Sequence, residues 1–381
     1  MMLNTNETHD EWQLTSEIIY LNHAAVAPWP QRTKQAVIDF ATENSQYGAA
    51  QYPRWLQIEK QLRQRIATLI HAPSPNDIAL LKNTSEALSV IAYGLDWQPG
   101  DNIVTSNQEF PSNRIVWQSL AQQGVTTRQA DLFASDSPEQ ALIDQCDSKT
   151  RLLSISSVQY ATGLRINLKK IGEYCAQQGI LFCIDAIQSI GALSFDAQQY
   201  QADFVVADGH KWMLGPEGLA LFYCKTKLRD QLKLYQYGWH MTEKYDDFDQ
   251  TEWQPANTAR RFECGSPNML GIHALNASLS LLLEIGMENI EQKVLNNSEY
   301  MFGQLAKSRH LTITSATKAE QYAGIIAFRH NQVEQQKLYK HLMKNGIICA
   351  IRNGSIRFSP HYYTPHAELQ KAIEIADKLI D

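Results

Sequence analysis

The run Phe204-Val-Val-Ala-Asp-Gly-His-Lys-Trp-Met-Leu-Gly-Pro-Glu-Gly218 decides how this chain folds. Its first four residues, Phe204–Ala207, are apolar and read as a short buried strand. The polar group Asp208-Gly209-His210-Lys211-Trp212 follows at once. A lysine at a strand end inside apolar sequence is unusual, because lysine is rarely buried. Kept from water or beside another cation, its pKa falls and the amine becomes a nucleophile able to form a Schiff base. On an open loop the same lysine is only a surface charge. The turn Gly215–Gly218 after it suggests a constrained loop.

Outward from this run the pattern alternates. Short apolar stretches at Ile78–Leu81, Asn102–Ser106, Val125–Gln129, Arg151–Ser156, Ile180–Ile184 and Leu219–Cys224 alternate with helical ones at Glu86–Leu95, Asn113–Gln123 and Leu168–Gln178. Apolar strands separated by amphipathic helices imply βαβ units and a mostly parallel, buried sheet. After about residue 257 the character changes. Met269–Met287 reads as one long helix. Gly324–Phe328, the helix Asn331–Lys344, Ile347–Ile351, Ser355–Phe358 and a last helix through Leu369, Ala372, Ile373, Ala376 and Leu379 form a smaller α+β unit. Leu234–Asn257 has little periodicity and reads as a loop-rich connection that either walls a pocket or covers the surface.

Composition narrows the function. The 381 residues carry 34 Lys plus Arg against 40 Asp plus Glu, a net charge of −6, which argues against nucleic-acid or anionic-membrane partners. A hydrophobic share of 44% with 19% charged residues is that of a globular protein. No apolar run approaches the roughly 18–20 residues of a membrane span. The stretch Met1–Trp12 is polar and acidic and lacks the pattern of a signal peptide. The six cysteines form no CxxC pair and sit near no histidine at zinc-ligand spacing, so a metal is not expected, and a reduced, cytoplasmic protein is.

Ligands of open α/β sheets bind beyond the C-terminal strand ends, so polar residues there carry the chemistry. Asn83-Thr84-Ser85-Glu86 offers hydroxyls and free N–H groups at a helix start, either a phosphate cup or a plain cap by Thr84 or Ser85. Asp185 ends the apolar run Ile180–Ile184, with Gln188 three residues on; it is a cap or the anion that keeps a pyridinium nitrogen protonated. A phosphate cup, an aspartate and a lysine at neighbouring strand ends are what pyridoxal 5′-phosphate requires.

On these motifs the chain, from about Tyr20 to Tyr363, resembles the class V aminotransferase and cysteine desulfurase-like family of fold-type I pyridoxal-phosphate enzymes. The resemblance implies an α/β large domain with a mostly parallel seven-stranded sheet flanked by helices, and a smaller α+β C-terminal domain. It divides the chain into an N-terminal segment lining the site (1–30), a large domain (31–256) and a small one (257–381). It implies Lys211 as the Schiff-base lysine and proton shuttle, Asp185 as the partner of the ring nitrogen and Gln188 as donor to the ring oxygen. Thr84, Ser85 and His210 match phosphate-binding positions. Phe110, in Glu109-Phe-Pro-Ser-Asn113, matches the residue stacked on the ring. Asn22-His23-Ala24-Ala25 matches an entry segment that lines the site, and Arg352 a substrate-side arginine. Ser266, within Arg261–Asn268, matches a contact to the partner subunit's phosphate, which implies a homodimer. Arg357 matches the clamp for the substrate α-carboxylate, a role suited to a planar guanidinium.

Several positions depart from the family pattern. Phe110 stands where relatives carry a histidine and donates no proton. Asp208 stands where a serine is usual, and a carboxylate repels phosphate. Gln159 stands where an asparagine is frequent near the ring. Desulfurases carry a mobile loop with a nucleophilic cysteine between the positions of Arg352 and Arg357; here only Asn353-Gly354-Ser355-Ile356 lies between them. Cys349 lies in an apolar strand, where a thiol is inert. The expectation is therefore an aminotransferase-type enzyme acting on a small amino substrate. The alternatives are a C–S β-lyase without a persulfide cysteine, and an epimerase or kynureninase-like enzyme; a non-catalytic protein of the same fold ranks last.

Overall fold

The computed structural model describes residues 10–134 and 137–379. Most of the polar stretch Met1–Trp12 therefore lies outside the described residues. Among the described residues thirteen strands and ten α-helices follow in chain order. The strands are β1 (Ile19–Tyr20), β2 (Ile78–Leu81), β3 (Asn102–Ser106), β4 (Thr126–Ala130), β5 (Thr150–Ser156), β6 (Leu181–Asp185), β7 (Phe204–Asp208), β8 (Ala220–Cys224), β9 (Leu311–Ile313), β10 (Ile326–His330), β11 (Ile347–Ile348), β12 (Ala350–Arg352) and β13 (Ser355–Phe358). The helices are α1 (Gln31–Tyr47), α2 (Tyr52–Leu69), α3 (Thr84–Gly94), α4 (Ser112–Gln118), α5 (Pro138–Ile143), α6 (Leu168–Gln178), α7 (Met269–Ile285), α8 (Met287–Leu305), α9 (Gln335–Lys344) and α10 (His366–Asp377).

The main sheet has seven strands in the order β2-β8-β7-β6-β5-β3-β4. Its pairs are parallel from β7 to β4, and β8 runs antiparallel to both β7 and β2. The central strands are apolar without alternation because both faces are covered. Phe182, Ile184, Val205 and Leu221 pack into one buried cluster, and Cys183, Phe204, Val206 and Phe222 into another on the opposite face. The sequence-read strands lie within one or two residues of those observed.

The C-terminal part departs more. The stretch read as one helix, Met269–Met287, breaks at Gly286, whose φ of 86° no helix accommodates; α7 and α8 meet there at 84°. Among the described residues no single helix is long and apolar enough to cross a membrane. The apolar residues of α7 belong to the core cluster of the main sheet, and α7 packs on α1 and α2, two helices the periodicity reading left out. The run Ile347–Ile351 splits in two. Ile347–Ile348 pairs in parallel with β1, and Ala350–Arg352 joins the antiparallel sheet β12-β13-β10-β9. That split draws the N-terminal segment onto the C-terminal part, where Asn22 bridges to Ser359.

One buried ion cluster ties α2 to the edge of the main sheet. Arg63 binds both Glu263 oxygens, at 2.6 and 2.7 Å, pairs with Glu59 and donates to the Ile78 carbonyl at 2.8 Å; Glu263 also accepts the Leu80 N–H at 2.8 Å. Removing one partner of a buried ion pair leaves an uncompensated charge. Arg63→Met is expected to cost on the order of 3 kcal/mol and to lower Tm by several degrees in scanning calorimetry; an unchanged Tm contradicts this account.

Candidate active site

The parallel register of β5, β6 and β7 brings three strand ends together. Ser156 lies opposite Asp185, and Asp185 opposite Val206. The loop after β7 closes on itself. Gly209 N–H bonds Leu219 O, Gly215 N–H bonds Gly209 O and Leu214 N–H bonds Lys211 O, each at 2.9 Å. Lys211 is thus held at the mouth of the sheet, in a cavity of about 280 Å3. Asp185, Gln188, Asp208, His210, Thr84, Ser85, Phe110, Arg352 and Arg357 line the same cavity.

The electrostatics follow from burial. Asp185 is 2% exposed, and burial pushes its carboxyl up to about 6, although the Ile187 N–H at 3.1 Å and Lys211 favour its charged form. Burial brings Lys211 down to about 8; Asp185 resists that shift and Arg357 adds to it. Its Nζ lies 5.6 Å from the centroid of the Phe110 ring. Arg357 is 1% exposed and falls to about 9, through burial and then Arg352. Its guanidinium donates to the Tyr160 carbonyl at 2.7 Å and to Asn22 Oδ1 at 3.3 Å, which leaves Nε buried without a partner.

The cap of α3 is Asn83, whose Oδ1 accepts the Glu86 N–H at 2.9 Å. Thr84 and Ser85, read as alternative caps, are therefore free of that task. Ser85 Oγ donates to Ser112 Oγ at 2.8 Å, and Thr84 Oγ1 is buried with no partner. A helix N-terminus with an orphaned hydroxyl suits a phosphate. His210 Nδ1 lies 2.9 Å from Asp208 Oδ1.

Other sequence-named residues lie elsewhere. His23 is fully buried, and both ring nitrogens are taken, by Ser359 O at 2.8 Å and Tyr363 Oη at 2.6 Å, so it is closed to substrate. Asn22 is absent from the cavity wall and instead positions Arg357. Ala24, Ala25 and Val26 form the wall in their place. Gln159 is spent on its own turn, accepting from Ala161 N, Thr162 N and Thr162 Oγ1 and donating to Gln108 O at 2.8 Å. Gln188 lines the cavity with its amide already bonded to Ala24 O and Trp212 Nε1. Ser266 lies in a separate depression with Lys82, Glu86 and Cys264. No residue of Leu234–Asn257 lines the cavity at Lys211; Tyr237, Trp239, Phe248 and Trp253 wall a depression of their own.

The cavity also contains Ser156, Tyr160, Ile187 and Glu217, which sequence reasoning missed. Ser156 was within reach of the strand-end rule, since it closes a strand adjacent to that of Asp185. Nothing local marks Tyr160.

The aminotransferase class-V family model matches residues 19–371. A probable cysteine desulfurase of Methanothermobacter thermautotrophicus is 29% identical over the whole of this chain and 99% of its own length. A cysteine desulfurase of Yersinia pestis is 32% identical over 88% of this chain and 83% of its own. The apo cysteine desulfurase of Thermococcus onnurineus superposes with a TM-score of 0.88 at 22% identity, covering 99% and 98% of the two chains. The cystine C–S lyase C-DES, solved with its reaction product cysteine persulfide, also gives 0.88, at 23% identity over 95% and 98%. A further C-DES structure carries glycine covalently linked to the PLP cofactor.

The Lys211 shift has a direct consequence. The reactive neutral amine of Lys211 accumulates as pH rises through about 8, well below the 10.5 of an ordinary lysine. Labelling of cofactor-free protein with trinitrobenzenesulfonate, read by peptide mapping, is expected to show that midpoint at Lys211; a midpoint near that of the surface lysines contradicts the burial argument. The strand-end lysine, the buried aspartate beside it and the match over nearly the whole chain lead to one assignment: the chain belongs to the aminotransferase class-V family.

Proposed function

We propose that this protein is a pyridoxal 5′-phosphate-dependent enzyme that cleaves the C–S bond of a sulfur-bearing α-amino acid without a protein persulfide. The observation that carries the reading is the convergence of Lys211, Asp185 and Arg357 in one cavity that no cysteine lines. The orphaned Thr84 Oγ1 and the open start of α3 fit the cofactor's phosphate, and the buried Asp185 fits a protonated ring nitrogen. When bound, the cofactor supplies an electron sink for the pair left at Cα when a bond there breaks.

The chain's own residues then have separable tasks. Lys211 Nζ holds the cofactor and, once displaced by the substrate amine, takes the Cα proton; a value of about 8 suits an amine that works as a base near neutrality. Asp185 keeps a proton at the ring-nitrogen position. Arg357, braced by Asn22 and the Tyr160 carbonyl, receives the substrate α-carboxylate, and its unpartnered Nε adds a further donor. Phe110, its ring centroid 5.6 Å from Lys211 Nζ, offers the apolar face against which the cofactor ring would stack. Loss of the Cα proton with departure of the Cβ–S group as a thiolate or persulfide yields, after hydrolysis, pyruvate and ammonia.

One fact supports placing C–S cleavage ahead of the aminotransfer expected from sequence, and two more disfavour a protein persulfide. Relatives at 29–32% identity are named cysteine desulfurases. The segment between Arg352 and Arg357 is a tight hairpin, with Asn353 and Gly354 at φ 49° and 70°, and it has no room for a cysteine loop. Cys349 is buried and its thiol is pushed up to about 12, so it is no nucleophile at neutral pH. The family's own description supports aminotransfer as the second reading. The homodimer implied by Ser266 is part of the proposal.

Two assays separate these readings. With cystine or an S-substituted cysteine, the lyase releases pyruvate without an added keto acid. Conversion that needs a keto acid and leaves the sulfur on the product overturns it in favour of aminotransfer. Arg357→Ala removes a charge-assisted pair and is expected to raise KM about tenfold or more; an unchanged KM refutes the clamp.

A further inference from the structure

Behind the cavity stands a second carboxyl, Glu109, that the mechanism does not use. It is 5% exposed. Its Oε1 accepts the Ser156 N–H at 2.9 Å; its Oε2 contacts the Ser156 hydroxyl and accepts from Asn113 Nδ2 at 3.0 Å. Asn113 cannot turn over, because its Oδ1 already accepts from Trp117 Nε1 at 2.8 Å and Ser154 Oγ at 2.7 Å. Ser156 ends β5, sits opposite Asp185 in the register and lines the cavity. Two carboxyls thus bear on one buried strand end, and like charges held close in a dry site cannot both ionise freely. They are not equivalent. Asp185 has the Ile187 N–H and the Lys211 cation to favour its charged form, whereas Glu109 is bonded to hydroxyl and amide groups only. Burial pushes Glu109 up to about 7, the bonds from Ser156 and Asn113 resist, and Asp185 adds to the rise. The other titratable groups around the pair are Cys183 on β6, whose thiol burial keeps protonated, Asp208 at the end of β7, and Lys211.

We propose that Glu109 is a positioning residue: it is the protonated member of a buried carboxyl pair with Asp185, and by donating to Ser156 Oγ it frees that hydroxyl's hydrogen to point into the cofactor cavity. Asp185 is then the anion of the pair, and Ser156 is a donor beside it. Ionised, Glu109 would claim the Ser156 hydrogen for itself. The assignment of the cavity rests on the pyridoxal-phosphate reading above.

Infrared titration of the protein as purified tests the protonation directly. A protonated-carboxyl component that fades with a midpoint near 7 is expected, lost in Glu109→Gln and kept in Asp185→Asn, whereas a second component with a midpoint near 6 follows Asp185. A component near 7 unaffected by Glu109→Gln, or lost only in Asp185→Asn, overturns the assignment. This measurement reads Glu109 itself, so it stands even if the protein binds no pyridoxal phosphate, an outcome that would sink only the proposed function. Equilibrium dialysis with pyridoxal 5′-phosphate below pH 7 tests the positioning. Glu109→Ala and Ser156→Ala, the latter keeping the backbone bond to Glu109, are each expected to weaken binding about tenfold, the scale of one lost hydrogen bond. A parental Kd in Ser156→Ala overturns the role.

Discussion

The structure depends on opposite charges held together away from bulk water at the ends of parallel strands. Asp185 ends β6, Lys211 follows β7, and the parallel pairing of those strands fixes their separation. Each group is costly to bury alone. Together they remain titratable near neutrality, with Asp185 raised to about 6 and Lys211 lowered to about 8. The loop from Gly209 to Gly215 is closed by its own backbone bonds, so the lysine is held by main chain rather than by side-chain contacts.

The rest of the cavity adds hydrogen-bond donors to that arrangement. The start of α3 lies on one side, its cap already satisfied by Asn83, which leaves Thr84 with an unspent hydroxyl. The β12–β13 hairpin lies on the other, presenting Arg352 and Arg357. Arg357 sits almost fully buried with one nitrogen unpartnered, an arrangement that an arriving carboxylate would satisfy. The tight turn at Asn353-Gly354 joins β12 to β13 and sets both arginines on the cavity wall.

Much of this was legible in sequence because strand-end chemistry is local. A buried strand, an abrupt polar group and a turn lie within fifteen residues at Phe204–Gly218, and Asp185 and Thr84 likewise stand at a strand end or just after one. Contacts between distant segments were not legible. His23 looked like a site residue because it adjoins the wall, but Ser359 and Tyr363 consume both its nitrogens. Gln159 looked like a ring neighbour, yet its amide closes its own turn. Glu263 carried no signal, although Arg63, 200 positions away, binds it and secures the edge of the main sheet. The break at Gly286 was hidden because the apolar run continues across it, and a lone glycine inside a helical pattern is often tolerated. Pairing of β1 with β11 gives no periodic signal in two-residue strands.

The central claim is that Lys211 is the group that holds the cofactor. Borohydride reduction of protein loaded with pyridoxal 5′-phosphate, followed by peptide mass mapping, tests it most directly. The account predicts a single phosphopyridoxyl modification on the peptide containing Lys211, and none on that peptide when Lys211 is replaced by alanine. Modification of another lysine, or none in protein shown to be folded, would contradict it.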